Sequence, residues 1–120
     1  MAWGAAFALL SVILGAFGAH ALRDLLADSQ LSSFETGVRY QMYHGLALIF
    51  SGLHADQLPK AKTLSNLFIS GTVLFSGSIY LLNLQEVLGI SLTFLGPITP
   101  IGGLCLIGGW SLLFLSLVKK

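Results

Sequence analysis

The residues of this chain that could do chemistry are two histidines, an arginine and a few neutral polar side chains, all within long apolar stretches. His20 closes the run GAFGAHAL, whereas Arg39, Gln41 and His44 lie in RYQMYHGLALI. An arginine can hold a carboxylate or a phosphate with two parallel hydrogen bonds, and imidazole can donate a further one. If the fold brings these side chains together, they predict a site for an anion.

Other chemistries are not indicated by the sequence. A zinc centre needs three or four converging ligands, and His54 lies ten residues beyond His44, about 15 Å along a helix. No HExxH, GxSxG, phosphate-binding loop or dinucleotide motif occurs. The five carboxylates fall at segment ends or in connections, whereas an ion-coupled carrier places one near the membrane midplane. We therefore predict no catalytic residue, no metal and no cofactor.

The composition indicates that lipid is the solvent for most of the chain. Hydrophobic residues make up 55% of the 120 residues and charged residues 9%, against about 25% charged residues in soluble domains. So few polar groups could not cover the surface of a soluble domain. The net charge of +1 gives no indication of nucleic-acid binding, and the single Cys105 excludes an intrachain disulfide.

Four apolar segments approach the roughly 20 residues that a helix needs to cross about 30 Å of hydrocarbon. They span about residues 2–22, 37–53, 63–84 and 100–118. The short connections between them favour antiparallel neighbours. The sequence therefore predicts an all-α polytopic membrane protein, a four-helix transmembrane bundle that forms one domain over residues 1–120. The stretch RDLLADS is a candidate for a short interfacial helix between the first two spans.

Capping signals predict where two of the helices begin. Ser32 and Glu35 have the spacing of a capping box, which would start the second helix near Ser33. Thr99 followed by Pro100 is typical of an N-cap and a first helical position, and would start the fourth helix there.

The first segment has a second interpretation as a cleaved signal peptide. Ala19-His20-Ala21 has the small-x-small form of a cleavage site. A signal peptide has a basic N-terminal region and an apolar core of about 7–15 residues, whereas this segment lacks the basic residues and has a longer apolar run. A retained span is the favoured interpretation.

The distribution of basic residues predicts the orientation. With four spans, both termini and the middle connection share one side, and that side holds Lys60, Lys62, Lys119 and Lys120. The opposite side holds only Arg23 and Arg39. Because positive charge favours the cytoplasm, we predict a multi-pass protein of the cell (inner) membrane with both termini cytoplasmic.

Small residues recur at helical spacing on three of the predicted helices. Such residues let helix backbones approach closely in membranes, so tight packing is the expected role, and substrate conduction along a smooth face is the alternative. The candidate packing residues are Gly4, Ala8, Ser11, Gly15 and Gly18 on the first helix, Gly77 on the third and Gly109 on the fourth.

Polar residues collect in the predicted outer half of the bundle. Gln41 and His44 share one face of the second helix, and Tyr80 and Asn83 share one face of the third. Polar groups facing lipid are costly, so these should point inward, towards the N-terminus of the fourth helix with its free N–H groups. The candidate residues for a lipid headgroup or small anion are His20, Arg39, Tyr40, Gln41, His44, Tyr80, Asn83, Thr99, Gly102 and Gly103.

Each of these residues also has a structural interpretation. His20 could pair with Asp24, Arg39 with Glu35, and His44 could bond across helices. Aromatic residues could serve as interface anchors, namely Trp3, Tyr40 and Tyr43. The alternative functions are a structural or assembly partner of another membrane protein, and a protomer of a homo-oligomeric small-molecule transporter.

Four ordered stretches resemble one known family. They are GAFGAHAL, RYQMYHGLALI, FSGSIYLL and LGPITPIGGLCLIGGW, and they resemble the small membrane proteins that include YgdD and transmembrane protein 256, the family called domain of unknown function 423. The resemblance implies several membrane helices and no assigned activity. It implies shared positions at Gly15, Gly18, His20, Tyr40, Gln41, His44, Gly77, Tyr80, Thr99, Pro100, Gly102, Gly103, Gly109 and Trp110. Many members have glycine where this chain has Ala21.

Overall fold

The computed structural model describes residues 1–119, and their secondary structure is all helical, as predicted. The four α-helices are α1 (Ala2–His20), α2 (Asp28–Leu53), α3 (Ala61–Leu88) and α4 (Ile98–Val118). Short 3-10 turns at Ala55–Gln57 and Thr93–Leu95 lie in the connections before α3 and α4. Lys120, which entered the count of basic residues, lies outside the described residues.

Three stretches of the described chain are long and apolar enough to cross a membrane: Ala2–His20, Ala61–Leu88 and Thr93–Val118. The predicted span at 37–53 is absent from this set because Arg39, Gln41 and His44 interrupt the apolar half of α2. Three candidate spans therefore follow from length and composition, where the sequence predicted four.

The helices pack mainly against their neighbours in sequence: α1 on α2, α2 on α3, and α3 on α4. The two central helices are thus α2 and α3. One apolar cluster draws on all four helices and includes Phe7, Leu48, Phe68 and Leu106. A second, smaller cluster of Leu22, Leu26 and Phe34 closes the end where α1 joins α2.

Glycines allow the closest helix crossings. A Cβ placed on Gly4 of α1 would lie 2.5 Å from the carbonyl oxygen of Gly45 in α2. A Cβ on Gly102 of α4 would overlap the backbone nitrogen of Phe75 in α3. The backbones therefore meet at both crossings, and a larger residue would force the helices apart.

The other candidate packing residues differ in their contacts. A Cβ at Gly18 or Gly109 would press on a phenylalanine ring, whereas one at Gly15 would make an ordinary 3.5 Å contact. Ser11 is buried and donates to the carbonyl of its own helix four residues back, and Ala8 lies opposite Gly45. Gly77 differs from the prediction, because a Cβ there would meet nothing within 4 Å.

The second helix begins earlier than predicted. It starts at Asp28, after Ala27, whose N–H donates to the side-chain oxygen of Gln30 at 2.9 Å. The predicted start near Ser33 is therefore wrong, because the polar residues before it form a further turn of helix rather than a cap.

Two further local predictions are wrong. The fourth helix begins at Ile98, so Thr99 lies within its first turn instead of capping it. Residues 21–26 form turns and a bend instead of an interfacial helix. Leu22 and Leu26 are buried in the cluster with Phe34, and this burial folds the segment against the start of α2.

The glycine contacts predict opposite effects for two alanine substitutions. Gly102→Ala should lower the stability of the protein by about 1–3 kcal/mol, because its methyl group overlaps the α3 backbone. Gly77→Ala should be neutral or stabilising by up to about 1 kcal/mol, since the site is open and alanine favours helix. Denaturation of both variants in detergent micelles, followed by circular dichroism, measures the difference. Equal stabilities would contradict the close approach of α3 and α4.

Candidate functional site

Gln41 connects three helices from a buried position on α2. Its Nε2 donates to the carbonyl oxygen of Phe7 in α1 at 2.9 Å. Its Oε1 accepts a hydrogen bond from the hydroxyl of Tyr80 in α3 at 2.6 Å. The side chain is only 5% exposed, so these bonds satisfy an amide that is shielded from solvent.

Two more hydrogen bonds join α3 to α2 on the face predicted to be polar. Ser76 Oγ donates to the carbonyl oxygen of Gly37 at 2.8 Å. Asn83 Nδ2 donates to Ser33 Oγ at 3.0 Å. The Tyr80 ring packs so closely on Gly37 that a Cβ there would lie 2.8 Å from the ring. This face of α3 is therefore turned towards α2.

His44 links α4 to α2. Its Nδ1 lies 2.6 Å from the carbonyl oxygen of Tyr40, and its Nε2 accepts a hydrogen bond from the indole N–H of Trp110 at 2.9 Å. Since a carbonyl only accepts and an indole only donates, the two bonds together require a neutral ring with its proton on Nδ1. Both nitrogens of this buried histidine are thus occupied within the protein.

An aromatic groove opens beside this histidine, between α2, α3 and α4. Its volume is about 670 Å³, within the range of about 300–1,000 Å³ that is typical of ligand sites. The rings of Tyr40 and Phe75 are 5.0 Å apart, and Gly103 leaves room on the α4 side. The groove is lined by Tyr40, Tyr43, His44, Leu46, Phe75, Gly103, Leu106, Ile107 and Trp110.

A smaller cleft of about 180 Å³ lies near α1, α2 and α3. Gln41, Ser76 and Tyr80 contribute to its lining, and Gly77 leaves it open. Thr72 also lines it, and its Oγ1 is buried without a hydrogen-bond partner among residues 1–119. A buried hydroxyl of this kind is commonly satisfied by a water molecule.

The structure does not bring His20 or Arg39 into contact with His44. His20 is exposed at the end of α1. Arg39 is also exposed, and its Nη2 donates to Thr36 Oγ1 at 3.2 Å. In the described part of the chain, neither residue makes the ion pair that was considered for it. The expected anion site therefore lacks its arginine, because the polar face that holds His44 turns Arg39 outward.

Thr99 and Gly102 serve the packing of α4 on α3. The Thr99 hydroxyl lies 2.5 Å from that of Ser78, and Gly102 lies against the Phe75 backbone. Neither lines the aromatic groove. Of the ten candidate residues, three line the aromatic groove, namely Tyr40, His44 and Gly103. Three others take part in the hydrogen bonds between α2 and α3, namely Gln41, Tyr80 and Asn83.

Sequence reasoning missed several residues of these networks. Trp110, for which the sequence indicated no hydrogen-bonding role, is the hydrogen-bond donor to His44. Helical periodicity relates residues within one helix, so it could not predict a hydrogen bond between residues of different helices that are 66 positions apart. Ser33 and Ser78 were also missed as bonding partners, although a search for small polar residues facing a neighbouring helix could have found them. No group of three metal-ligating side chains occurs in residues 1–119.

Long apolar helices, joined by hydrogen bonds between their buried polar side chains, define a helical membrane protein. The chain belongs to the family described as protein of unknown function (DUF423), whose sequence profile matches residues 14–103. This confirms the resemblance found in the sequence.

Relatives of this chain carry membrane-protein names. It is 42% identical over 119 residues to the UPF0382 membrane protein YwdK of Bacillus subtilis (strain 168), covering 97% of this chain and 93% of the relative. It is 44% identical over 117 residues to the UPF0382 membrane protein SH2409 of Staphylococcus haemolyticus (strain JCSC1435), covering 97% and 92%. No solved structure matches the chain.

The bond between Gln41 and Tyr80 predicts coupling in a double-mutant cycle. Tyr80→Phe and Gln41→Leu should each destabilise the protein, and the double variant should lose less than the sum. A single hydrogen bond between membrane helices is worth about 0.6 kcal/mol and at most about 1.7 kcal/mol. Unfolding in mixed micelles measures the coupling energy. Tyr43→Phe, which removes a hydroxyl from an exposed ring, is the control, and additive single effects would argue against the bond.

Proposed function

We propose that the protein binds a membrane lipid, with one acyl chain in the aromatic groove and the headgroup near Tyr40 and Tyr43. The observation that supports this most directly is the groove itself, about 670 Å³ in volume and lined mainly by aromatic and aliphatic side chains. Because the polar atoms of His44 and Trp110 bond each other, the inner part of the groove offers an acyl chain an apolar wall.

The same geometry favours a lipid over a small anion. An anion in this groove would need a cation or several free N–H donors, and Arg39 is directed to Thr36. The polar groups available at the groove are the hydroxyls of Tyr40 and Tyr43, whose rings are 39% and 52% exposed. Tyrosine hydroxyls are suited to the membrane interface, where the headgroups lie. The proposed role is binding, without catalysis.

We further propose that all four helices cross the cell membrane and that both termini are cytoplasmic. α2 packs against the two apolar helices α1 and α3, and its polar residues Gln41 and His44 are buried. The exposed large side chains of its second half include Leu46, Phe50 and Leu53. The second half of α2 is thus polar on its buried face and apolar on its exposed face, which suits lipid, although the average composition of α2 is less apolar than that of its neighbours.

The lipid proposal predicts that filling the groove weakens binding. In a Trp3→Phe background, Trp110 is the one remaining tryptophan, and lipids with brominated acyl chains should quench its fluorescence saturably in detergent. Gly103→Leu should raise the apparent dissociation constant about tenfold, equivalent to about 1.4 kcal/mol, because the leucine enters the groove.

The matched control is Leu104→Phe, which adds volume at a neighbouring residue that is 66% exposed and does not line the groove. It should leave the titration unchanged. Equal, unsaturable quenching in both variants would show contact with bulk lipid and would overturn the proposal. A stable dimer in which Trp110 is shielded would instead support the assembly or transporter alternatives.

The orientation proposal predicts which engineered cysteines are accessible from outside intact cells. In a Cys105→Ser background, Glu86→Cys at the end of α3 should react with a membrane-impermeant maleimide. Ala2→Cys and Lys119→Cys should react only after the cells are opened. Labelling of one terminus but not the other in intact cells would indicate an odd number of spans.

A further inference from the structure

A second groove lies at the end of the molecule opposite the predicted anion site. It is formed where α3 begins and α4 ends, and its volume is about 380 Å³. The residues that line it are Pro59, Lys60, Leu112, Leu115, Ser116 and Lys119. The packing of α4 on α3 thus places two lysines, far apart in sequence, at one groove.

The positive charge of this groove is not neutralised within the described chain. Lys60 and Lys119 are both exposed, and neither forms a salt bridge with another residue of the range 1–119. Asp56 is the only acidic residue in the connection from α2 to α3, and the first turn of α3 contains none. Two free ammonium groups at one groove favour an anionic occupant.

Two helix ends meet at this groove, the N-terminus of α3 and the C-terminus of α4. Lys60 occupies the N-cap position of α3, and no side chain caps the helix. The first N–H groups of a helix lack partners within it, and its dipole is positive at this end. The dipole of α4 is negative at its C-terminus, so the two helix ends oppose each other and the two lysines decide the preference for an anion.

The rest of the lining of the groove is largely apolar. Leu112 and Leu115 project from the last turns of α4. The hydroxyl of Ser116 donates to the Leu112 carbonyl at 2.8 Å, so the wall offers little further polarity. A phosphate beside hydrocarbon is the arrangement of a phospholipid. The matching of charge and apolar surface thus indicates a lipid rather than a soluble anion.

We propose that this groove binds an anionic phospholipid, with the headgroup phosphate between Lys60 and Lys119 and an acyl chain along Leu112 and Leu115. The site is independent of the aromatic groove, because the two share no lining residue. It differs from general attraction to a negative surface, because Lys60 and Lys119 line the groove and the neighbouring Lys62 does not.

The experiment measures lipid binding to the full chain by native mass spectrometry in detergent. Phosphatidylglycerol and phosphatidylcholine with identical acyl chains are titrated separately. We expect phosphatidylglycerol to bind more tightly. Lys60→Gln and Lys119→Gln should each weaken it about fivefold, equivalent to about 1 kcal/mol for one lysine, and should leave phosphatidylcholine binding unchanged.

The matched control is Lys62→Gln, which removes the same charge from an exposed residue at the same end that does not line the groove. The Lys62→Gln variant should retain the preference for phosphatidylglycerol. Replacing Lys60 with arginine instead of glutamine (Lys60→Arg) should also retain it, because the positive charge is kept. Circular dichroism verifies that each variant is folded. An equal loss in Lys62→Gln, or no preference in the unaltered protein, would overturn the proposal.

Two further arms separate the possible sources of the signal. Inorganic phosphate at the same concentration should not displace the lipid, and displacement would show that the groove binds free phosphate instead. Gly103→Leu should leave the preference for phosphatidylglycerol intact, so that a failure of the aromatic-groove proposal can be told apart from a failure of this one.

Discussion

The bonding of the Gln41 amide is the constraint on which the arrangement of the first three helices depends. A buried primary amide must satisfy both its oxygen and its nitrogen, because leaving either group unpaired is costly. The Phe7 carbonyl and the Tyr80 hydroxyl meet this need from opposite neighbours of α2. Rotating any of the three helices would leave at least one of these groups unpaired. The contact thus fixes the rotation of each helix about its axis, which apolar packing alone would leave loosely determined.

Glycine contacts make these hydrogen bonds geometrically possible. The backbones of α1 and α2 approach at Gly4 and Gly45, and only at such a distance can the Gln41 side chain reach a carbonyl on α1. The approach of α4 to α3 at Gly102 similarly brings α4 close enough for Trp110 to bond His44 on α2. Steric fit therefore brings the helices together, and the polar groups select their orientation. These separate roles of steric fit and polar groups suit a membrane protein, because lipid tails contact apolar helix surfaces as favourably as another helix does.

Sequence reasoning predicted the parts of this arrangement that depend on local pattern. Helical periodicity placed Gln41 and His44 on one face of α2, and the structure buries that face. The same periodicity places Arg39 outside that face, where Thr36 is its partner. Periodicity could not find the Trp110 donor, since the pairing depends on how α4 crosses α3. The start of α2 was misplaced because the polar residues before Ser33 continue the helix back to Asp28. The interfacial helix is absent because Leu22 and Leu26 are buried against Phe34.

The two grooves differ in a way that follows from these internal bonds. The polar atoms around His44 already take part in hydrogen bonds within the protein, so the inner part of the aromatic groove is lined by aromatic and aliphatic side chains. At the other end, Lys60 and Lys119 have no acidic partner in the described chain, so their charge is available to an external group. A molecule that binds both grooves would need an apolar body for one and an anionic group for the other, and they lie towards opposite ends of α4. Two separate lipids satisfy this geometry better than one ligand, and each would contact a different part of α4.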